Sequence, residues 1–187
     1  MSTIIQEPSA APMSPPSDGL YEIIDGKVVE KSMGVYEVHL TNLIAFFLGR
    51  FAFDHQLGYV ESEMLFNFGV EGQPQRRPDV AFFSYQRWPK GRRFSSENAL
   101  HVVPDLVVEV VSPTISANEV EEKIVEYLAA GIGLVWVVYP TTARIYVHDG
   151  SSTIRVISRQ GELEGGDVLP GFRLPLSTLF EVEAGND

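Results

Sequence analysis

Six consecutive residues, Leu106-Val107-Val108-Glu109-Val110-Val111, restrict what this chain can fold into more than any other stretch. A run this short, β-branched and apolar at both alternating sets of positions, belongs in a strand covered on both faces of a sheet. Ser112-Pro113 ends it. Glu109 stands in its middle, where a carboxylate costs roughly several kcal/mol unless it is paired, hydrogen-bonded or bound to metal. Two readings of Glu109 follow from the residues. It is either a carboxylate held by a partner, or a strand-end glutamate whose side chain reaches solvent.

A strand covered on both faces needs a layer on each side. The 187 residues, 44% hydrophobic and 21% charged, suffice for one domain with a sizeable core. Tyr21 to Ile24 and Lys27 to Glu30 flank Asp25-Gly26, a hairpin signal. A helix is expected from about Val35 to Phe53, with Val35, Val38, Leu43, Phe46, Phe47 and Phe51 on its apolar face. Strands are expected over Tyr59 to Phe68, Pro78 to Ser84 and the Glu109 run. Ser116-Ala117-Asn118-Glu119 is a capping box for a second helix reaching about Ala130, stopped by Gly131. Leu134 to Tyr139, Arg144 to His148 and Thr153 to Ser158 read as further strands, and Asp167 to Phe180 as an extended wrap. The fold class is therefore α/β, a mixed twisted sheet flanked by helices. Residues 1–18, rich in Pro, Ser and Ala, read as a disordered tail before a single domain over 19–187.

No apolar run reaches the ~18 residues of a membrane span, and the N-terminus lacks the pattern of a secretory signal. Cysteine is absent, which removes disulfides and thiolate metal sites and makes a cytoplasmic location the expectation. Net charge is −11 and pI about 4.8, which argues against a broad basic surface for nucleic acid. Yet Gln75 to Arg93 gathers six of the fourteen basic residues. Arg87, Lys90, Arg92 and Arg93 within it form either a local nucleic-acid contact or a solvated loop.

Two residues join Glu109 as candidates. Asp79 begins the preceding strand, and two carboxylates on neighbouring strands can project to one side at one end of a sheet. That suits a hard divalent cation such as Mg²⁺, with the carbonyl of Val110 completing its shell. Lys123 flanks the buried stripe of Val120, Ile124, Tyr127 and Leu128 on the second helix, from where it can reach over the strand of Glu109. The alternative is a snorkelling lysine or an i,i+4 partner of Glu119.

Pro78-Asp79, the string from Pro104 to Pro113, Glu122-Lys123 with Tyr127, Ala130-Gly131-Ile132 and Trp136 together resemble the Uma family of putative restriction endonucleases, within the PD-(D/E)XK nuclease superfamily. Tyr21 to Gly26 and Leu169 to Phe172 match the family's two ends, so the likeness runs over about residues 20–181. The resemblance implies a restriction-endonuclease-like core in which Asp79 and Glu109 bind Mg²⁺ or Mn²⁺. The usual lysine position, two after the glutamate, is Val111 here; Lys123 occupies the place to which this family moves it. The catalytic set implied is thus Asp79, Glu109 and Lys123. Glu22 and His39 match auxiliary positions of the hairpin and the first helix; His39 is equally a core histidine, and Glu22 a capping or pairing residue. Ala117 and Asn118 depart from the family's basic residues before the second helix, as do Tyr139 from an Asp and Gly133-Leu134 from a Pro-Glu pair.

Three functions remain distinct on these grounds: a metal-dependent endonuclease acting on nucleic acid, most naturally DNA; a catalytically silent nuclease fold used for binding or assembly; and a two-carboxylate hydrolase of the glycosidase type, with Trp88 and Tyr85 as an aromatic platform. The first helix is apolar over more than half its circumference. That width, with the two-fold habit of duplex-cutting nucleases, implies a homodimer, unless the C-terminal segment covers the helix.

Overall fold

The computed structural model describes residues 19–69, 74–94 and 96–180, so the tail expected over 1–18 lies outside the described residues. A hairpin, β1 (Tyr21–Ile24) and β2 (Lys27–Glu30), turns through Asp25 and Gly26, both at positive φ. Helix α1 (Val35–Asp54) follows, then β3 (Gly58–Ser62), β4 (Phe66–Asn67), β5 (Gln75–Arg76), β6 (Val80–Ser84) and β7 (Leu106–Val110). Helix α2 (Ala117–Ala129) leads to β8 (Leu134–Tyr139), β9 (Arg144–His148), β10 (Arg155–Ser158), β11 (Glu162–Glu164) and β12 (Arg173–Pro175). The capping box of α2 is complete: Ser116 Oγ accepts from the Glu119 N–H at 3.2 Å, and Glu119 Oε2 accepts from the Ser116 N–H at 2.8 Å.

The main sheet runs β10-β9-β8-β7-β6-β3, and β7 lies inside it. Within this sheet β7 and β8 pair in parallel, joined across α2 as a crossover requires, and the other neighbours pair antiparallel. Every residue of β7 is buried, as its composition demanded. Its side chains alternate between two cores. Leu106, Val108 and Val110 pack with Leu40, Ile44, Leu48 and Ala52 of α1 and with the C-terminal Leu169, Phe172, Leu174 and Leu176. Val107 faces the other way, with Ala81 and Phe83 of β6 and Val120, Ile124 and Tyr127 of α2. A smaller sheet, β2-β1-β5-β4, stands apart from the main one. Among the described residues no helix is long and apolar enough to cross a membrane.

Two expectations about α1 and β3 are corrected. The buried residues of α1 are Glu37, Leu40, Thr41, Ile44, Leu48 and Ala52, not the stripe through Val35 and Phe46. Val35 is 91% exposed, Phe46 56% and Phe53 71%. With apolar residues nearly all round, periodicity could not choose a face; contact with β3, β6 and β7 chose it. The C-terminal segment covers only part of the remainder, through Phe172 against Phe51 with centroids 5.3 Å apart. The single strand expected over Tyr59–Phe68 is in fact two. Glu63, at φ +54°, turns the chain out of the main sheet after β3 and into the small sheet at β4.

Gly58 opens β3 where the chain nearly touches its neighbour. A Cβ there would lie 2.2 Å from the Phe83 carbonyl oxygen and 2.7 Å from the Ser84 Cα. Because backbone cannot step aside as a side chain can, Gly58→Ala is expected to lower stability by about 1–3 kcal/mol, read from urea denaturation.

Candidate active site

Asp79 and Glu109 meet through strand register. Strands β6 and β7 pair antiparallel with Val80 opposite Val108 and Ala81 opposite Val107. One step further, Asp79 stands opposite Glu109. Alternation puts both on the side of Ala81 and Val107, the face that α2 covers. Directly opposed side chains have Cβ atoms about 4.5–5.5 Å apart, and like charges so placed repel. Both carboxylates are buried.

Each is held by partners from elsewhere in the chain. Asp79 Oδ2 accepts the Val110 backbone N–H, and Lys31 Nζ lies 2.5 Å from Asp79 Oδ1. Glu109 Oε2 accepts from Lys123 Nζ at 3.0 Å, and Glu109 Oε1 accepts from the Tyr127 hydroxyl at 2.5 Å. Lys123 Nζ is also 3.2 Å from Glu22 Oε1. Glu22 in turn receives the Arg77 N–H at 3.0 Å and Arg76 Nη1 at 3.1 Å. The buried Arg76 guanidinium grips Glu126 with two bonds, of 2.6 and 2.9 Å. Lys31 Nζ has two further partners, Glu63 Oε2 at 2.9 Å and the Arg77 carbonyl at 2.8 Å.

The electrostatics follow from burial and pairing. Burial raises the pKa of Glu109, and the Asp79 charge adds to the rise against the opposition of Lys123. Burial likewise raises that of Asp79 against the pull of Lys31. For Lys31 and Lys123 burial acts to lower the pKa, but the carboxylates around each reverse this and hold the ammonium above its ordinary value. Glu22 ends below the usual range, because Lys123 and the Arg77 N–H outweigh its burial. Burial, then the neighbouring Glu109, pushes Tyr127 well above its ordinary pKa, so its hydroxyl stays a neutral donor.

The donor chemistry suits a hard divalent cation in kind: two buried carboxylates on facing positions of adjacent strands. Asp79 and Glu109 are the residues that would hold it. As the side chains stand, no three Asp, Glu or His groups among the described residues converge as a metal-ligating set. The ammonium groups of Lys31 and Lys123 each draw one of the two carboxylates toward themselves.

Of the residues singled out from sequence, Asp79, Glu109, Lys123 and Glu22 come together. Val110 joins through its N–H, which binds Asp79. His39 does not: it lies exposed on α1, on the side of Val35 and Phe46, and is not a core histidine. The basic loop is also displaced. It leaves β6 at the end opposite Asp79, and five strand residues with their flanks amount to about 20 Å at roughly 3.3 Å each. Arg87 is tied to Asp105 at 2.5 Å, Lys90 bonds Gln56, and the Arg92 guanidinium sits 3.8 Å over the ring of Trp88; Arg93 is exposed. Trp88 is buried and stacked on Phe94, so it makes no aromatic platform beside the carboxylates. Lys31, Glu63, Tyr127 and Arg76 join this cluster although the sequence does not single them out as candidates: Tyr127 lies in the apolar stripe of the second helix, and Arg76 is one of six basic residues in the Gln75–Arg93 segment.

A family model described as Uma2, putative restriction endonuclease, matches residues 10–177. A solved structure with the same fold is that of a putative nuclease belonging to DUF820 from Anabaena variabilis. It is 20% identical, with 89% of this chain and 93% of that chain covered and a TM-score of 0.77. No curated protein matches the chain.

Removing Lys123 strands two buried carboxylates at once. Lys123→Met is expected to cost about 3–5 kcal/mol in urea denaturation, the loss typical of an opened buried pair. Lys123→Met combined with Glu109→Gln should cost less than the two single changes added together, since the two residues share one interaction.

Proposed function

The chain belongs to the Uma2 family of putative restriction endonucleases, and from that premise we propose that it is a metal-dependent endonuclease hydrolysing phosphodiester bonds, most naturally of DNA. The observation that carries this is the pairing of Asp79 against Glu109 on the face covered by α2, with the Lys123 ammonium 3.0 Å from Glu109. Bound Mg²⁺ or Mn²⁺ would supply Lewis-acid activation of water and neutralise charge on the scissile phosphate. Asp79 and Glu109 provide its carboxylate ligands, and the Val110 carbonyl is the remaining main-chain donor of the set. Lys123, anchored between Glu109 and Glu22, orients the attacking water or meets the charge that develops on the phosphate. Tyr127 holds the other oxygen of Glu109 and so restricts its rotation. Glu22 positions Lys123. The cysteine-free composition supports a cytoplasmic setting.

The exposed stripe of Val35, Val38, Phe46 and Phe53 on α1 supports a homodimer. A two-fold helix-to-helix contact would cover it on both copies and present two active sites, one for each strand of a duplex. One observation favours a second reading, a nuclease fold that binds without cutting: every cation near Asp79 and Glu109 is already engaged by a carboxylate or a carbonyl.

Incubation with plasmid, oligonucleotide and RNA substrates in Mg²⁺ or Mn²⁺ separates the two. Cleavage that falls about 10²-fold or more in Glu109→Gln and in Asp79→Asn is expected. Binding without cleavage by the wild-type chain would establish the silent reading instead. For the assembly, light scattering should give twice the chain mass of 20.8 kDa. The Phe46→Asp, Phe53→Asp protein should run as a monomer; an unchanged mass would remove α1 from the interface.

A further inference from the structure

Lys31 has no part in the reading above, yet its ammonium lies among hard oxygen ligands. Asp79 Oδ1 is 2.5 Å away, Glu63 Oε2 2.9 Å and the Arg77 carbonyl 2.8 Å. The charge of Glu109 acts on the same ammonium. Carboxylates and a main-chain carbonyl around one point form the shell of a Mg²⁺ or Ca²⁺ ion, with a nitrogen cation at its centre. An ammonium has three protons to donate, whereas such an ion takes six or more ligands. The surplus is visible: Glu63 Oε1 is buried and has no hydrogen-bond partner. Glu63 stands at the left-handed turn where the chain leaves the main sheet.

Lys31 also has somewhere to go. It belongs to the irregular link between β2 and α1, and its side chain borders a cleft of about 190 Å³. Glu30, Glu119 and Glu122, all exposed, line that cleft, together with Lys123 and Arg76, which are already paired with Glu109, Glu22 and Glu126. A displaced ammonium would therefore still have carboxylates within reach.

We propose that Lys31 is a built-in competitor for the divalent cation: its ammonium fills the cation position beside Asp79 and swings into the acidic cleft when the metal binds, and Glu63 then joins Asp79 and Glu109 as a ligand. This rests on the reading of Asp79 and Glu109 as metal ligands. Metal affinity in the intact chain is thereby reduced by the fraction of molecules whose Lys31 is already displaced.

Two measurements with Mn²⁺ on the full chain test the competition. In calorimetry, Lys31→Met should bind Mn²⁺ about tenfold or more tightly than the wild type, as it would if Lys31 stood aside in about a tenth of molecules or fewer. Adding Glu63→Gln to Lys31→Met should remove most of that gain. In the wild type, acetylation of Lys31 by an amine-reactive ester, read by mass spectrometry, should rise when Mn²⁺ saturates the site. Equal Mn²⁺ affinity in the wild type and Lys31→Met, abolished in both by Asp79→Ala, would overturn the competition and leave the nuclease reading standing. Absence of Mn²⁺ binding from both proteins would overturn the two together. If Lys31→Met is unfolded without metal, Mn²⁺ must refold it, because the ion replaces the missing charge. Failure to refold, or Lys31 acetylation unchanged at Mn²⁺ saturation, overturns the proposal.

Discussion

Two carboxylates facing each other across an antiparallel strand pair, both buried, are the constraint around which this molecule is organised. Strand register forces Asp79 and Glu109 together, and burial beneath α2 takes away the water that would screen them. Two negative charges in that position cannot stand alone. The chain answers with cations drawn from three separate elements. Lys31 arrives from the end of the first hairpin, Lys123 from α2, and Arg76 from β5, with the Arg77 main-chain N–H beside it. The small sheet makes sense on these terms. It has little apolar surface of its own, a core of Tyr21, Leu65 and Ala99, and it delivers Glu22, Lys31 and Arg76 to the edge of the main sheet.

Stability and chemistry are thereby joined in the same residues. A buried ion network is costly to assemble and costly to break, but it specifies geometry in a way that apolar contacts do not. Glu109 illustrates this. One oxygen takes the Tyr127 hydroxyl and the other takes Lys123, so its plane is held from two sides. Lys123 is held between Glu109 and Glu22, and Glu22 by Arg76 and the Arg77 N–H. The chain of contacts ends at the bidentate Arg76–Glu126 pair on α2, the helix that also supplies Lys123 and Tyr127. Preorganisation of this kind is what a hydrolytic site needs before any substrate arrives.

What the sequence disclosed divides along the range of the interaction concerned. The strand from Leu106 to Val110, the capping box at Ser116 and Glu119 and the hairpin at Asp25-Gly26 are local signals, and they hold in the structure. Asp79, Glu109 and Lys123 were legible because the family motif marks them, while the geometry that unites them came from register. Lys31 was not legible, since its partner Asp79 is 48 positions away and nothing local marks the pairing. Glu63 sat in an apparently continuous strand pattern whose break is a single left-handed residue. Arg76 and Arg92 look alike within one basic segment, yet one is buried against Glu22 and Glu126 and the other lies at the far end of β6 over Trp88. The apolar residues of α1 failed in another way: they were too many to define one face, so tertiary contact decided which were covered.

The charge inventory of the centre gives its own argument about the ion. Around the two facing carboxylates stand Glu22, Glu63 and Glu126, making five acids in the network. Lys31, Arg76 and Lys123 supply three positive charges. With all groups ionised the cluster is negative by two. A divalent ion in place of the Lys31 ammonium, with Lys31 moved out to the cleft, would reduce that to one. The resident lysine and the metal are thus not equivalent tenants. The lysine leaves the larger negative charge beside a buried, unpartnered oxygen of Glu63, and the ion would reduce the one and partner the other. On the nuclease reading, a phosphodiester, itself an anion, would meet less repulsion in the second state than in the first. Asp79, Glu109 and Glu63 would hold the ion, and Lys31 would tie its arrival to the easing of that repulsion.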